Sequence, residues 1–431
     1  MPLTQKRLRL LEKLDTAAPL RVVLVNDLGF QYGAGIACRR TAQAFLRHGH
    51  QVALVAAHVG DRDDGTAGCP EFEMPGWLGI IHPAVLHKDV IDEALVLPMI
   101  HGRIAALKAD AVIVGNIHNP CPSRRYLPPE LLRLLAATET VTACYAHDLH
   151  YASGGCYYPG QCQHASGVCT AERCPQAATV PPRLAARQET FRRLFSARHR
   201  LPLVANSHWT AAMLRRAHGD TAVPVVPCAV ETDVFRPDPG ARAALGLPAD
   251  RRLVGIGACS LQDRRKGAHL LPAIIEQTIG ACPDTAFLAF GQGAQDLSLR
   301  YPGHVFAMGY LDSPQRLALA FAAMDAFLFT SGEEALGQVL IEAAACGVPV
   351  VAFDVGGVSD IARHGVNALL CPHGDLPALG RHLQQTLNDA GPALGRNGRA
   401  IAEAEFGLAS HLEAWLKLLR EWAASPTPAV E

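Results

Sequence analysis

The stretch from Phe327 to Cys371, FLFTSGEEALGQVLIEAAACGVPVVAFDVGGVSDIARHGVNALLC, most constrains what this chain can fold into. Phe327–Thr330 is a short apolar run, and Ser331 to Gly337 forms a loop with two glycines. Gln338 to Cys346 contains no helix breaker. Gly347 suits the helix end, Pro349 stops its continuation, and Pro349–Phe353 reads as a second buried strand. Asp354–Gly357 makes a turn, followed by a short helix and a third apolar run, Ala368–Cys371. The pattern is strand–helix–strand with loops at the strand ends, where open α/β sheets place ligands. Two carboxylates fit poorly as scaffold. Glu342 lies inside VLIEAAAC, a helix apolar on nearly every side, where an ionised carboxylate is costly unless something hydrogen-bonds it. Glu334 stands in the preceding loop, so both acids can face one crevice. The plainer alternatives are a surface Glu334 and a Glu342 satisfied by neighbouring backbone.

The run E-A-L-G-Q-V-L-I-E-A-A-A-C-G-V-P-V-V resembles the signature of the family-four retaining glycosyltransferases: Glu-Gly-Phe-Gly, four residues, Glu-Ala, then Gly-x-Pro-Val. The resemblance implies an α/β chain of the GT-B architecture, two facing Rossmann-like domains with a cleft between them that takes a nucleotide sugar. It also implies that Glu334 contacts the donor sugar near the reacting carbon and that Glu342 binds the ribose. Gly337 matches the final glycine of the first motif. Ala335 and Leu336 stand where the family has Gly and Phe.

A chain of 431 residues is long for one domain, which makes two the natural expectation. With 49% hydrophobic residues it can bury sizeable cores. A net charge of −1 provides no global field for nucleic acid, and no nucleic-acid-binding pattern occurs. The N-terminus carries charges throughout and does not read as a secretory signal. No run of apolar residues is long enough to span a membrane, so a cytoplasmic protein is expected. Thirteen cysteines, an odd number scattered through the chain, argue against a general disulfide framework. Several, such as Cys259 and Cys346, sit in apolar runs and read as core.

Arg21–Asn26 is the first buried strand. A loop containing Gly29, Gly33 and Gly35 follows, then a helix from Ile36 to His48 and a second strand, Gln51–Ala57. Free N–H groups at such a helix start suit a phosphate or a sugar hydroxyl. The third glycine of a dinucleotide fingerprint is absent, as is the acid at the end of the second strand. Gly33, Ala34 and Gly35 resemble the family's opening loop, which faces the donor phosphates and the acceptor side. Residues 58–105 are weakly patterned. Ala111–Val114 and Val141–Tyr145 read as strands. They end at His118 and at His147-Asp148. The resemblance puts His147 on a donor-sugar hydroxyl, and we read His118 as a substrate-side contact.

Residues 150–175 form an insertion with Cys156, Cys162, Cys169 and Cys174 spaced C-x5-C-x6-C-x4-C. The segment has little core of its own and needs a staple. A structural zinc on four thiolates would provide one. Local disulfides or unligated thiols are the alternatives. The segment also resembles a bacterial polysaccharide-biosynthesis branch of the same family, through His147-Asp148, Ser153-Gly154-Gly155-Cys156 and Cys174-Pro175. Its expected role is structural, on the acceptor side. Residues 183–200 are helical, with six arginines and one glutamate. The face is either solvated or in peripheral contact with anionic lipid at the inner membrane face, because such enzymes often use lipid-linked acceptors. Either Asn206 or Ser207 caps the next helix.

Pro237, Pro239 and Gly240 mark a linker. The expected division is residues 1–238, residues 239–405, a helix over 406–423 returning to the first domain, and a tail over 424–431. The second domain opens with the strand Leu253–Ala258 and the loop SLQDRRKG. A cationic loop after a first strand suits a diphosphate. Lys266-Gly267 match the family's Lys-Gly, and Arg264 or Arg265 stands in for its arginine. The implied activity is retaining transfer of a hexosyl-type sugar from a nucleoside-diphosphate sugar to a sugar or lipid-linked acceptor. Lys266 and an arginine serve in place of a catalytic metal, so no cofactor is expected for catalysis. Another sugar-nucleotide enzyme, such as an epimerase, and a non-catalytic partner-binding module are the rival readings. The oligomeric state, sugar, base and acceptor are not readable.

Overall fold

The computed structural model describes residues 3–56, 65–81, 93–117, 129–154, 156–160, 162, 174, 184–196, 201–219 and 221–425. The chain divides into two compact units. Unit 1 is Met1–Cys228 with Leu408–Glu431, and unit 2 is Ala229–Gly407.

Unit 1 is built on a six-stranded sheet of β1 (Arg21–Val25), β2 (Gln51–Val55), β3 (Trp77–Ile81), β4 (Ala111–Val114), β5 (Val141–Ala146) and β6 (Leu203–Ala205), in the order β3-β2-β1-β4-β5-β6. Every pairing is parallel. Parallel strands covered on both faces read as continuous apolar runs, which is why RVVLV, AVIV and VTACYA stand out in the sequence. β3 stays half-buried at the edge, its run WLGII is broken by Gly79, and it was not read as a strand. Nor was the helix Glu93–Ala106, which carries an internal proline, read as a helix.

Two expectations for unit 1 change. The helix after β1 is Tyr32–Arg47, so Gly33, Ala34 and Gly35 form its first turn instead of a loop ahead of it. Gly35 is where the turn folds back on its own lead-in. A Cβ there would meet the backbone carbon of Phe30 at 2.5 Å. The arginine-rich helix is Leu184–Leu194. Phe191, Leu194 and Phe195 are buried in the unit's core, and Glu189 bonds Arg193 at 2.9 Å. As expected, Ser207 caps the helix His208–His218, accepting from the Thr210 N–H at 3.0 Å. The last helix, Leu408–Ala424, belongs to this unit, where Arg7 of the first helix donates to the Trp422 carbonyl at 2.6 Å.

Unit 2 repeats the plan with β7 (Arg252–Ser260), β8 (Thr285–Gln292), β9 (Val305–Gly309), β10 (Ala326–Phe329), β11 (Val350–Phe353) and β12 (Ala368–Cys371), in the order β12-β11-β10-β7-β8-β9. The stretch read first, β10 to β12 with the helix Gln338–Ala345, forms as expected. The unit begins at Ala229 and not after residue 238. Val230 explains the shift: it bridges Gly407 and donates its N–H to the Phe406 carbonyl at 2.8 Å. In each sheet the strand order reverses once, between β1 and β4 and between β7 and β10. The carboxyl ends of those strands are the topological switch points where such sheets bind ligands.

Candidate functional site

The switch point of unit 2 carries Arg264, Arg265, Lys266, Glu334 and Gly337. β7 runs into a short 3₁₀ turn, Arg264–Lys266, started by Asp263, whose Oδ1 accepts the Arg265 N–H at 2.8 Å. β10 runs into the loop that carries Glu334. Backbone bonds staple turn to loop. Thr330 Oγ1 donates to the Lys266 carbonyl at 2.9 Å, and the Gly332 N–H donates to the Arg265 carbonyl at 2.8 Å. Only glycine fits next. Gly267 has φ +80°, and a Cβ there would stand 2.1 Å from the Thr330 carbonyl oxygen.

This staple sets the central contact. Lys266 Nζ donates to Glu334 Oε2 at 2.5 Å, and Glu334 is 5% exposed. A charge-assisted bond of this length at a shielded position holds both side chains firmly. Glu334 is also held through its backbone. Its carbonyl accepts the Gly357 N–H at 3.0 Å, and a Cβ at Gly356 would lie 1.9 Å from the same oxygen. Gly337, at φ +86°, then turns the chain into the helix Gln338–Ala345. Glu342 lies in that helix and is 3% exposed.

Cys259, near the end of β7, shows that these charges converge. It is exposed, not core as expected, yet desolvation of its thiol raises its pKa. Lys266 and Arg265 act to lower that pKa, and Glu342 and Glu334 act to raise it. Four of the named side chains therefore share one electrostatic neighbourhood. Arg265 also donates from Nη1 to the Glu333 carbonyl at 3.2 Å, whereas Arg264 is exposed. Sequence reasoning missed Thr330 and the Gly356-Gly357 pair that braces Glu334. A glycine doublet straight after the buried strand β11 was the available signal.

The switch point of unit 1 is furnished with amides and acids. Asn26 follows β1, and its Oδ1 accepts the Asn116 N–H at 3.1 Å. Its Nδ2 donates to the Gly29 carbonyl at 2.6 Å. The Asp27 N–H donates to the Asn116 carbonyl at 2.8 Å. Asn116 Nδ2 reaches Asp148 Oδ2 at 3.3 Å, and Asp148 Oδ1 accepts the His150 N–H at 2.8 Å. His147, 9% exposed, stands directly after β5 at the carboxyl edge. Asn26, Asp27 and Asn116 were not picked out, although each follows a buried strand. His118 lies outside the described residues.

The cysteine quartet divides. Cys156, Cys162 and Cys174 are half-buried, and Cys169 lies outside the described residues. Among the described residues no three His, Cys, Asp or Glu side chains gather as a metal ion would need. The three described cysteines form no such group, and the fourth expected ligand, Cys169, is outside the described residues, so the four-cysteine expectation stays untested. Among the described residues no helix is long and apolar enough to cross a membrane.

Two doubly wound units with a charged pair at a switch point define a GT-B α/β protein. Sucrose-phosphate synthase from Thermosynechococcus elongatus shares the fold at a TM-score of 0.70 and 21% identity, over 94% of this chain and 100% of that one. HepE of Anabaena, in complex with UDP and glucose, follows at 0.65 and 18%, over 93% and 100%. WaaG, a glycosyltransferase involved in lipopolysaccharide biosynthesis, scores 0.63 at 17% identity, over 92% and 99%. Residues 251–389, all within unit 2, match the model of the family Glycosyl transferases group 1. D-inositol 3-phosphate glycosyltransferases of Mycobacterium bovis and Mycobacterium tuberculosis are 33% identical over 184 residues, 39% of this chain. The matched region spans 37% of those relatives' length.

Proposed function

We propose that this chain is a retaining glycosyltransferase, taking a sugar from a nucleoside-diphosphate sugar to a hydroxyl of a sugar or lipid-linked acceptor in polysaccharide or glycoconjugate synthesis. The observation that carries the reading is the Lys266–Glu334 pair, stapled at the switch point of a glycosyl transferases group 1 domain. Departure of the nucleoside diphosphate builds negative charge on its terminal phosphate. Lys266, with Arg265 or Arg264, is the cation for that charge. A divalent metal fills this role in other transferases, and here no step is assigned to one. Glu334, released from Lys266 when the diphosphate takes the ammonium, orients the sugar and stabilises positive charge at the reacting carbon. Glu342 holds the ribose hydroxyls, and Gly337 frees the backbone beside Glu334.

In unit 1 the N-terminus of the helix Tyr32–Arg47, at Gly33, Ala34 and Gly35, suits an anionic group. His147 is assigned a sugar hydroxyl and His118 a substrate-side contact. The zinc reading of the cysteine segment is carried no further. A cytoplasmic location with peripheral contact at an anionic membrane face belongs to the same proposal. Retention on vesicles containing anionic lipid, lost on substituting Arg192 and Arg193, tests that part.

HepE is described with UDP and glucose, so UDP sugars head the donors to test. The experiment is release of nucleoside diphosphate from a panel of nucleotide sugars, with the sugar traced onto an added acceptor. Transfer with the anomeric configuration retained supports the reading. Diphosphate release that leaves the sugar altered but never transferred overturns it in favour of an epimerase-type enzyme.

A further inference from the structure

His147 is braced from one side by a tyrosine and a cysteine. Tyr145 lies in β5, and His147 stands one residue beyond its end. Their rings meet edge-on with centroids 4.2 Å apart. Tyr145 is fixed in turn. Its ring stands edge-on to buried Trp415 at 5.2 Å, and its hydroxyl donates to the Val226 carbonyl at 2.6 Å. Val226 is anchored to the sheet, because its N–H donates to the Ala205 carbonyl at 2.9 Å. Two residues on, Cys228 is 1% exposed, with Sγ 3.8 Å from Tyr145 Oη and 3.9 Å from His147 Nδ1.

The protons in this group can be assigned. Tyr145 has one hydroxyl proton, and the short bond to Val226 uses it. Burial pushes the Cys228 thiol up to about 12, so the sulfur keeps its proton at neutral pH. That S–H is a weak donor with two acceptors in reach, a phenol oxygen and an imidazole nitrogen. The nitrogen is the stronger base and takes the bond. A neutral imidazole carries one N–H, which is then on Nε2.

We infer that Cys228, backed by Tyr145, is a positioning residue that keeps His147 in its Nε2–H tautomer, so that this histidine meets its ligand as a hydrogen-bond donor. The inference deepens the proposed function and rests on it only in taking that ligand to be a sugar oxygen.

The test is nitrogen NMR on the full chain labelled with ¹⁵N-histidine, with the His147 signals assigned by their loss in His147→Asn. The wild type should show a protonated Nε2 and an acceptor-type Nδ1. Cys228→Ala should shift the Nδ1 signal and mix the tautomers. Its kcat should fall roughly three- to tenfold at nearly unchanged KM, the scale of one lost hydrogen bond. Cys228→Ser, which keeps a donor, should restore both. A wild-type Nδ1–H tautomer, or a Cys228→Ala spectrum identical to wild type, overturns the inference. The tautomer is read without substrate, so absence of glycosyl transfer would count against the proposed function and leave this result standing.

Discussion

The two units wind the same six-strand order, with a single reversal each, yet they furnish the reversal point differently. Unit 2 places a lysine and a glutamate there in a 2.5 Å bond, braced by glycines whose substitution the backbone does not tolerate. Unit 1 places amides, two aspartates and a histidine, tied through backbone groups of neighbouring strands. On the proposed reading, one scaffold carries a charge-matched site for an anion and a polar site for hydroxyls. The sheet fixes where a ligand goes, and a few residues just past the strand ends fix which ligand.

Substitutions can break this contrast. The largest expected effect is on Glu334→Gln, which keeps the shape and removes the charge. Turnover should drop by about 10²–10³, the scale of losing one group that stabilises transition-state charge, while nucleotide affinity stays within a few-fold of wild type. Equal turnover would show that the acid is scaffold. Gly356→Ala should come next. Its Cβ has no room against the Glu334 carbonyl, so the loop must move. A displacement of about 1 Å should cost roughly 10² in kcat although position 356 carries no functional group. Wild-type kinetics in a folded variant would refute the bracing role.

Glu342→Ala should mainly weaken nucleotide binding, by about tenfold or more, as expected for lost hydrogen bonds to a charged group. Titration calorimetry with a nucleoside diphosphate reads this directly. The Glu334 and Glu342 variants should therefore separate, one in turnover and one in affinity. Both behaving as wild type would contradict the site.

The smallest effect sharpens the comparison through stability. His411 of unit 1 is buried, with Nδ1 2.8 Å from the Pro227 carbonyl, and burial pushes its pKa down from 6.5 to about 4. The same happens to His218. The unfolded chain takes up these protons at higher pH than the folded one. Stability from the neutral rings is therefore complete above about pH 6.5 and lost as the pH falls toward 4, by roughly 3 kcal/mol for His411. All four tryptophans lie in unit 1, so selectively excited tryptophan fluorescence reports on that unit alone. Its unfolding midpoint in denaturant should fall between pH 6.5 and 4, and His411→Gln should flatten the dependence. A pH-independent midpoint would contradict the assignment.

Legibility in the sequence follows the same division. The strands of unit 2 and the acids Glu334 and Glu342 could be read because buried parallel strands are unbroken apolar runs, and a carboxylate among alanines needs a reason. The brace could not be read. Gly356 meets Glu334 only after β10 and β11 have paired, and nothing local to either residue announces the contact. Unit 1 was harder still. β3 is half-buried and its sequence hides it, and the helix at Tyr32 starts before the glycines that resemble a loop. Asn26 and Asn116 become partners only through the parallel pairing of β1 with β4. Cys228 was not picked out, although it closes unit 1 beside His147.

The most direct test of the central claim is thermal unfolding of the wild type and Lys266→Ala across a panel of nucleoside diphosphates and their sugars. One diphosphate, and more strongly one of its sugars, should stabilise the wild type, by about 2.7 kcal/mol at a hundred times its Kd. Lys266→Ala should lose most of that gain. No stabilisation by any member of the panel, or equal stabilisation of both proteins, would contradict a nucleotide-sugar site built on Lys266 and Glu334.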